Sequence, residues 1–348
     1  MLEAGTLMAE PLVRLENLTK NFPVGKSFFG RGRHYVRAVD DFSLEIFSGE
    51  SFGLVGESGS GKSTIGRCIL NLIVPSSGRI EFAGKTIFDK GKGIHLSYRE
   101  MLPLRRDMQV IFQDPTASLD PRMSIGDIVM EGLKKHRIAE QAGARKTAGD
   151  YLELCGINRD LFLRRPGEFS GGQKQRIGIA RALALNPRFI VADEPLSALD
   201  VSVQSQILNL MSSLKERLNL TFLFISHDLR TVEYFCDRIG VLYLGSLAEL
   251  GSTGDIINNP LHPYTQVLFS SIPRDKPWLK PVWIQLQGEI PSAAPRGCKF
   301  HTRCPYSREL CAASIPLPEK AGKGHFVACH RWRELFQEAA RDNAASDI

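Results

Sequence analysis

The 348-residue chain contains no apolar run approaching the ~18 residues that a membrane-crossing helix needs. The stretch LTFLFIS (220–226) is short and rich in β-formers, and reads as a buried strand. The opening MLEAGTLMAEPLVRLENL carries acids and lacks a basic start followed by an apolar core, so no secretory signal peptide is expected. No internal repeat and no sustained heptad run is visible. The net charge of +6 comes from interspersed acids and bases, which reads as a mixed solvated surface; no nucleic-acid partner is expected. Hydrophobic content of 43% and charged content of 24% are ordinary for a globular protein. The length implies one large domain with an appendage, or two domains.

Cysteine is sparse until residue 298. Cys68, Cys155 and Cys236 stand alone in helix-like surroundings and read as small buried hydrophobes. The other four, Cys298, Cys304, Cys311 and Cys329, follow C-x5-C-x6-C-x17-C, without the C-x2-C pairs of common zinc sites. Four thiolates can hold a 4Fe–4S cluster. Zinc is the alternative, with His301, His325 and His330 close in sequence, and a metal-free cluster is the third reading. A loop-rich tail with little apolar periodicity needs some staple, which favours a metal.

The first 255 residues alternate strand-like and helix-like segments, the pattern of an α/β fold with a largely parallel sheet. SFGLV (51–55) is a strand leading into a glycine-rich loop, and KSTIGRCILNLI (62–73) reads as a helix. RFIVAD (188–193) and LTFLFIS are further buried strands. Between them Val203, Ile207, Leu210, Met211, Leu214 and Leu218 recur at helical spacing over 202–218. PRMSIGDIVMEGLKKHRIAE and RKTAGDYLELCGI read as helices of an inserted subdomain at about 114–182. Past residue 255 the chain turns proline-rich, with one short helix near 263–271 and mostly loop beyond. The expected domains are 1–255 and a C-terminal extension, 256–348.

GESGSGKST (56–64) fits G-x-x-x-x-G-K-S between a strand and a helix, the context of a phosphate cradle. Gly56, Gly59 and Gly61 let backbone N–H groups turn toward phosphate oxygens, and the helix start adds its positive dipole end. Ser58, Ser60 and Thr64 belong to the same binding loop. Lys62 is suited to reach the β- and γ-phosphates, and Ser63 to place its hydroxyl on Mg²⁺. RFIVADEP ends a strand on two carboxylates: Asp193 suits Mg²⁺ and Glu194 suits activation of an attacking water.

Phosphate loops serve many activities, and FSGGQKQRIGIARAL (169–183) decides among them. It resembles the signature of ATP-binding cassette (ABC) ATPases, with Phe169 where leucine is usual. The resemblance implies a P-loop, RecA-like core with an inserted helical subdomain. It also implies that Ser170, Gly171, Gly172 and Gln173 close over ATP held by the opposite subunit of a head-to-tail dimer. Other family elements follow in order. Gln113 in VIFQDP matches the glutamine that contacts Mg²⁺ and couples the site to a membrane partner. Asp200 in SALD matches the loop along the dimer seam, and His227 in FISHDL matches the switch histidine that contacts the γ-phosphate and orients Glu194 and the water. Phe22 in LTKNFPV fits the aromatic adenine platform, with Tyr35 as the alternative. With Glu194 and His227 both present, ATP hydrolysis is expected; one cassette per chain implies a dimer, homo or hetero.

QDPTASLDPRMSIGDIVMEGL (113–133) and NNPLHPYTQVLFSSIP (258–273) narrow the resemblance to cassettes of bacterial oligopeptide and dipeptide importers, over about 12–330. Such importers pair two cassettes beneath two membrane permeases, and an extracytoplasmic binding protein delivers substrate. The implied location is peripheral, on the cytoplasmic face of the cell membrane. Relatives carry an iron–sulfur cluster in the cysteine region, which favours that reading of the four cysteines. The rivals are a non-transport ABC ATPase and a nucleotide-sensing metal-binding regulator.

Overall fold

The computed structural model describes residues 10–24, 34–270, 291 and 294–336. In chain order the elements begin with β1 (Val13–Val24), β2 (His34–Ile46), β3 (Ser51–Val55) and α1 (Lys62–Ile69). There follow β4 (Ser77–Phe82), β5 (Lys85–Asp89), β6 (Ile94–His95), α2 (Tyr98–Asp107) and β7 (Met108–Ile111). Next come α3 (Ile125–Lys135), α4 (Gln141–Leu154), α5 (Gly171–Leu183), β8 (Phe189–Asp193), α6 (Val201–Leu218) and β9 (Thr221–Ile225). The chain continues through α7 (Leu229–Phe235), β10 (Arg238–Tyr243), β11 (Ser246–Ser252), α8 (Thr253–Asn258) and α9 (Pro263–Ser270). It ends with α10 (Glu309–Ala313), β12 (Glu319–Gly322) and β13 (His325–Val327).

The apolar runs at 51–55, 188–193 and 220–226 are strands, buried along their whole length in β3, β8 and β9. The amphipathic pattern over 202–218 is α6, which stops at Asn219 in the left-handed conformation. The helix expected over 62–73 is shorter, because Asn71 turns left-handed (φ 52°). The N–H groups of Leu72 and Ile73 both fold back onto the Arg67 carbonyl, at 2.9 and 3.3 Å, and close the helix.

Two compact units share the chain. The first takes residues 10–18, 43–51 and 66–225. In it β7, β8 and β9 run parallel, with Met108 opposite Phe189 and Phe189 opposite Thr221. Gly66 lets α1 lie against this sheet: a Cβ there would stand 2.9 Å from Val191 Cγ1 and 3.2 Å from Ile225 Cδ1. β4, β5 and β6 form an antiparallel arrangement. The inserted helices α3, α4 and α5 pack on one another, and α5 also lies on β7 and α6. Ser124 caps α3 and Ser170 caps α5, each accepting the N–H three residues on.

The second unit takes the described residues of 19–42, 52–65 and 226 onward. Here β3 and β10 are parallel, β10 and β11 antiparallel, and β11, β13 and β12 continue antiparallel. Helix α7 packs on β3 so closely that a Cβ at Gly53 would meet Val232 Cγ1 at 2.7 Å. The short helix expected near 263–271 is α9, and beyond it α10 and the β12–β13 hairpin lie where mostly loop was expected. Much of the proline-rich stretch, 271–290 and 292–293, lies outside the described residues, as does the first half, 1–9, of the opening segment read for a signal peptide.

The joint between β11 and α9 is built on a buried carboxylate. Glu249, fully buried, accepts the N–H groups of Leu261 and His262 at 2.8 and 2.9 Å and pairs with His325 Nε2 at 2.7 Å. His262 Nδ1 accepts the Tyr264 N–H at 3.0 Å, so the His-Pro-Tyr sequence caps α9. Burial pushes His262 down to about 4, against a smaller opposing pull from Glu249. The unfolded chain, titrating near 6.5, therefore binds more protons than the folded one between pH 6.5 and pH 4. Stability should be full above pH 6.5 and fall by about 3 kcal/mol from this group as pH drops to 4. Melting temperature followed from pH 7.5 to 4 should fall less in His262→Asn than in the parent; parallel curves would refute a neutral buried imidazole.

Candidate nucleotide site

The loop 56–64 belongs to the second unit and owes its shape to three glycines. Gly56, Gly59 and Gly61 have φ of 150°, 79° and 106°, where side chains are strained. A Cβ at Gly61 would sit 2.2 Å from the Ala38 carbonyl oxygen, and one at Gly56 2.2 Å from that of Leu242. Lys62 is 4% exposed, its ammonium donating to the carbonyls of Gly56 (2.7 Å) and Glu57 (2.9 Å) and to Ser60 Oγ (3.4 Å). The loop thus curls around a buried cation at a helix start, flanked by the half-buried hydroxyls of Ser63 and Thr64. Ser58 and Gly59 are exposed at its crest. This donor set fits a magnesium-bound polyphosphate.

The same unit carries His227, exposed just after β9, and both aromatic candidates. Phe22 is half-buried with Lys20 Nζ 4.9 Å from its ring centre; Tyr35 is 58% exposed.

The first unit carries the acidic residues. Asp193 closes β8 and is 8% exposed, with Arg67 Nη2 at 3.9 Å. Glu194 follows at φ 48°, a conformation costing a non-glycine residue about 1 kcal/mol or more. It is held there by its N–H on the Ile225 carbonyl (2.9 Å) and by Ser197 Oγ on its own carbonyl (3.1 Å). Gln113, exposed beyond β7, donates from Nε2 to Glu194 Oε2 at 3.0 Å. Two residues 81 apart in sequence are therefore joined at one strand end.

Ser170 to Gln173 open α5 with a reciprocal cap. Ser170 N–H donates to Gln173 Oε1 (3.0 Å), and Gln173 N–H to Ser170 Oγ (3.4 Å). Gly171 is exposed, while a Cβ at Gly172 would come 2.4 Å from Val203 Cγ1, so the turn lies hard against α6. Asp200, exposed, is the residue preceding α6, and Gln204 ties the bend before it through the carbonyls of Leu196 and Leu199. Phe169 is buried, as an apolar residue in the leucine position should be.

Residues 39–197 match the ABC transporter family model, and 248–311 match the oligopeptide/dipeptide transporter C-terminal region. The oligopeptide transport ATP-binding protein AppF of Bacillus subtilis is 46% identical over 92% of this chain and 97% of its own length. The chain belongs to the ABC transporter family. A putative peptide import ATP-binding protein of Brucella ovis is 51% identical over 87% of this chain and 96% of its own. The dimeric post-hydrolysis structure of the cassette MJ0796, bound to ADP and phosphate, superposes with a TM-score of 0.61. It is 30% identical, over 69% of this chain and 98% of that one. This ABC subunit is therefore an ATPase with the P-loop, RecA-like cassette core and helical subdomain. Among the described residues no helix is long and apolar enough to cross a membrane.

One expectation for this ABC subunit is overturned. Neither a 4Fe–4S cluster nor zinc fits the cysteines: among the described residues no group of three or more His, Cys, Asp or Glu is placed to hold a metal ion. Cys298, Cys304, Cys311 and Cys329 do line one cavity, of about 20 Å³, room for a single water. Burial raises Cys298 and pushes Cys304 and Cys329 up to about 11 and 12. The nearby histidines are engaged elsewhere: His301 with the Cys298 carbonyl, His330 with Ser314 and His325 with Glu249. The tail is stapled instead by the Glu249 joint and by a ring cluster of Tyr243, Tyr264 and Phe300.

Sequence reasoning passed over Glu57, Arg67, Arg303 and Tyr264 as functional residues. Glu57, Arg67 and Tyr264 lay inside quoted stretches, but their partners are 126 to 246 residues away, as is that of Arg303, and leave no local pattern.

Proposed function

We propose that this ABC ATPase powers import of oligopeptides, dipeptides or a related solute through partner permeases, from the cytoplasmic face of the cell membrane. The observation that carries this is the oligopeptide/dipeptide transporter C-terminal region at 248–311, beside a cassette with no degenerate motif. Relatives named for oligopeptide transport and peptide import support it. In this reading residues 1–255 are the nucleotide-binding domain, with a helical subdomain at about 114–182, and 256–348 are an importer-type extension. The partners are a second ABC ATPase subunit, two transmembrane permeases and an extracytoplasmic binding protein.

The site residues take the following parts. Phe22 stacks on adenine. Gly56 to Thr64 wrap the phosphates with backbone N–H groups, and Lys62 neutralises the β- and γ-phosphate oxygens. Ser63, Gln113 and Asp193 would hold Mg²⁺, which when bound spreads the charge of the transferring phosphate. Glu194 takes a proton from the attacking water, and His227 orients that water and meets the γ-phosphate. Ser170 to Gln173 close over the nucleotide of the facing subunit, with Asp200 along the seam. ATP binding favours the closed dimer and hydrolysis releases it, a two-state cycle that the permeases read near Gln113 and the helical subdomain.

The test is purification of the tagged full chain from its native membrane, followed by uptake of labelled di- to pentapeptides into vesicles. Co-purification of a second cassette and two permeases, with ATP-dependent peptide uptake, is expected. Purification without permeases, or ATP turnover indifferent to every peptide and its binding protein, would overturn the transport reading.

A further inference from the structure

The C-terminal extension reaches the phosphate loop. Arg303 lies between Cys298 and Cys304 and is 6% exposed. Its guanidinium meets the Glu57 carboxylate as a fork, Nη1 to Oε2 at 2.9 Å and Nη2 to Oε1 at 3.2 Å, while Nη1 also reaches Tyr243 Oη at 3.3 Å. Glu57 is the second residue of the phosphate loop, and its N–H donates to Tyr264 Oη at 2.9 Å. The Glu57 carbonyl in turn accepts from Lys62. Backbone donor, backbone acceptor and side chain of one loop residue are thus all fixed, two of them from the extension.

The support behind Arg303 is rigid. Cys298 N–H bonds to the Cys311 carbonyl at 2.7 Å, and Phe300 sits against the rings of Tyr243 (5.2 Å) and Tyr264 (5.4 Å). Lys299, on the same turn, bridges Asp40 at 2.7 Å and donates to the Leu244 carbonyl at 2.8 Å. Next to Leu244, Gly245 N–H donates to the Ser60 carbonyl of the loop at 2.9 Å. One short turn therefore holds the loop directly at Glu57 and, through residues 244–245, at Ser60.

We propose that Arg303 and Tyr264 are positioning residues for ATP: they pre-set the phosphate loop through Glu57, and Arg303 cancels a carboxylate charge that would otherwise face the triphosphate. The proposal rests on the reading of 56–64 as the nucleotide loop and adds that the extension, apart from any contact with permeases, tunes nucleotide affinity. Two physical effects run the same way. A loop held in its bound shape loses less freedom when ligand arrives. An unpaired carboxylate beside a polyanion repels it, strongly where water is excluded.

Equilibrium binding of MgATP to the purified full chain, with melting curves on each variant, tests this. Arg303→Met should weaken affinity about tenfold, since it both frees the loop and strands the Glu57 charge. Glu57→Gln with Arg303→Met should bind more tightly than Arg303→Met alone, because the stranded charge is gone. Tyr264→Phe, which only removes the acceptor for the Glu57 N–H, should weaken binding about threefold. A purely structural role for Arg303 would lower the melting temperature and leave affinity unchanged. Affinities within twofold of the parent for Arg303→Met, or a double variant weaker than either single, would overturn the proposal. If Arg303→Met does not fold, Tyr264→Phe decides, and unchanged affinity there overturns it too. Lys62→Ala separates the two levels: if it binds MgATP like the parent, the loop reading itself fails.

Discussion

Replacing Lys62 by alanine should weaken MgATP binding at least a hundredfold and remove measurable hydrolysis. The side chain supplies the one ammonium that the loop wraps, and it is 4% exposed with donors already on the Gly56 and Glu57 carbonyls. A charged hydrogen bond to phosphate contributes about 1.5–3 kcal/mol, and a lysine spanning two phosphates makes more than one. Its removal also leaves the buried Gly56 carbonyl without that donor, at a further cost of about 1 kcal/mol, and the part-buried Glu57 carbonyl at a smaller one. Arginine should not rescue, because a planar fork does not fit a pocket shaped for a compact ammonium. Calorimetric titration of the full chain reads the effect. A loss below tenfold would mean that the phosphates lie elsewhere.

Glu194→Gln should separate binding from chemistry. Affinity for MgATP should stay within about twofold, while turnover falls by about 10²–10⁴, the usual worth of a positioned general base. The substitution is well controlled here. Glutamine meets the same left-handed backbone as glutamate at φ 48°, and its carbonyl can still accept from Gln113 Nε2. The melting temperature should therefore not move. Phosphate release by the assembled complex, compared with nucleotide affinity, gives the two numbers. Turnover within fivefold of the parent would exclude Glu194 as the base and leave His227 as the next residue to examine.

The parts of the fold legible in the sequence were those whose signal is local. RFIVAD and LTFLFIS announce themselves because β8 and β9 are buried on both faces and so read as unbroken apolar runs. The phosphate loop and the Ser170 turn were legible because glycine and a cap residue at fixed spacing are needed wherever a backbone must bend that way. The short antiparallel strands β4 and β5 were not legible: SGRIEF and KTIFD mix polar and apolar residues over five or six positions. The end of α1 was set by one left-handed asparagine, which no periodicity signals.

The cysteine tail misled for a related reason. Spacing shows that four sulfurs are near in sequence, and they do gather around one cavity. Spacing does not show whether those sulfurs are placed to hold a metal ion, nor that His325 is spent on Glu249, 76 residues away. The Glu57–Arg303 fork spans 246 residues, so only the folded chain reveals it.

Turnover requires, above all, two cassettes that complete each other's nucleotide sites. The direct measurement is the structure of the Glu194→Gln complex, purified with its partner subunits and held in MgATP. A closed cassette pair is expected, in which Ser170, Gly171 and Gly172 of this chain lie within hydrogen-bonding distance of the γ-phosphate held by the facing cassette. Triphosphates bound at 56–64 with residues 170–172 remote from any nucleotide, in a preparation whose parent form turns over ATP, would contradict it.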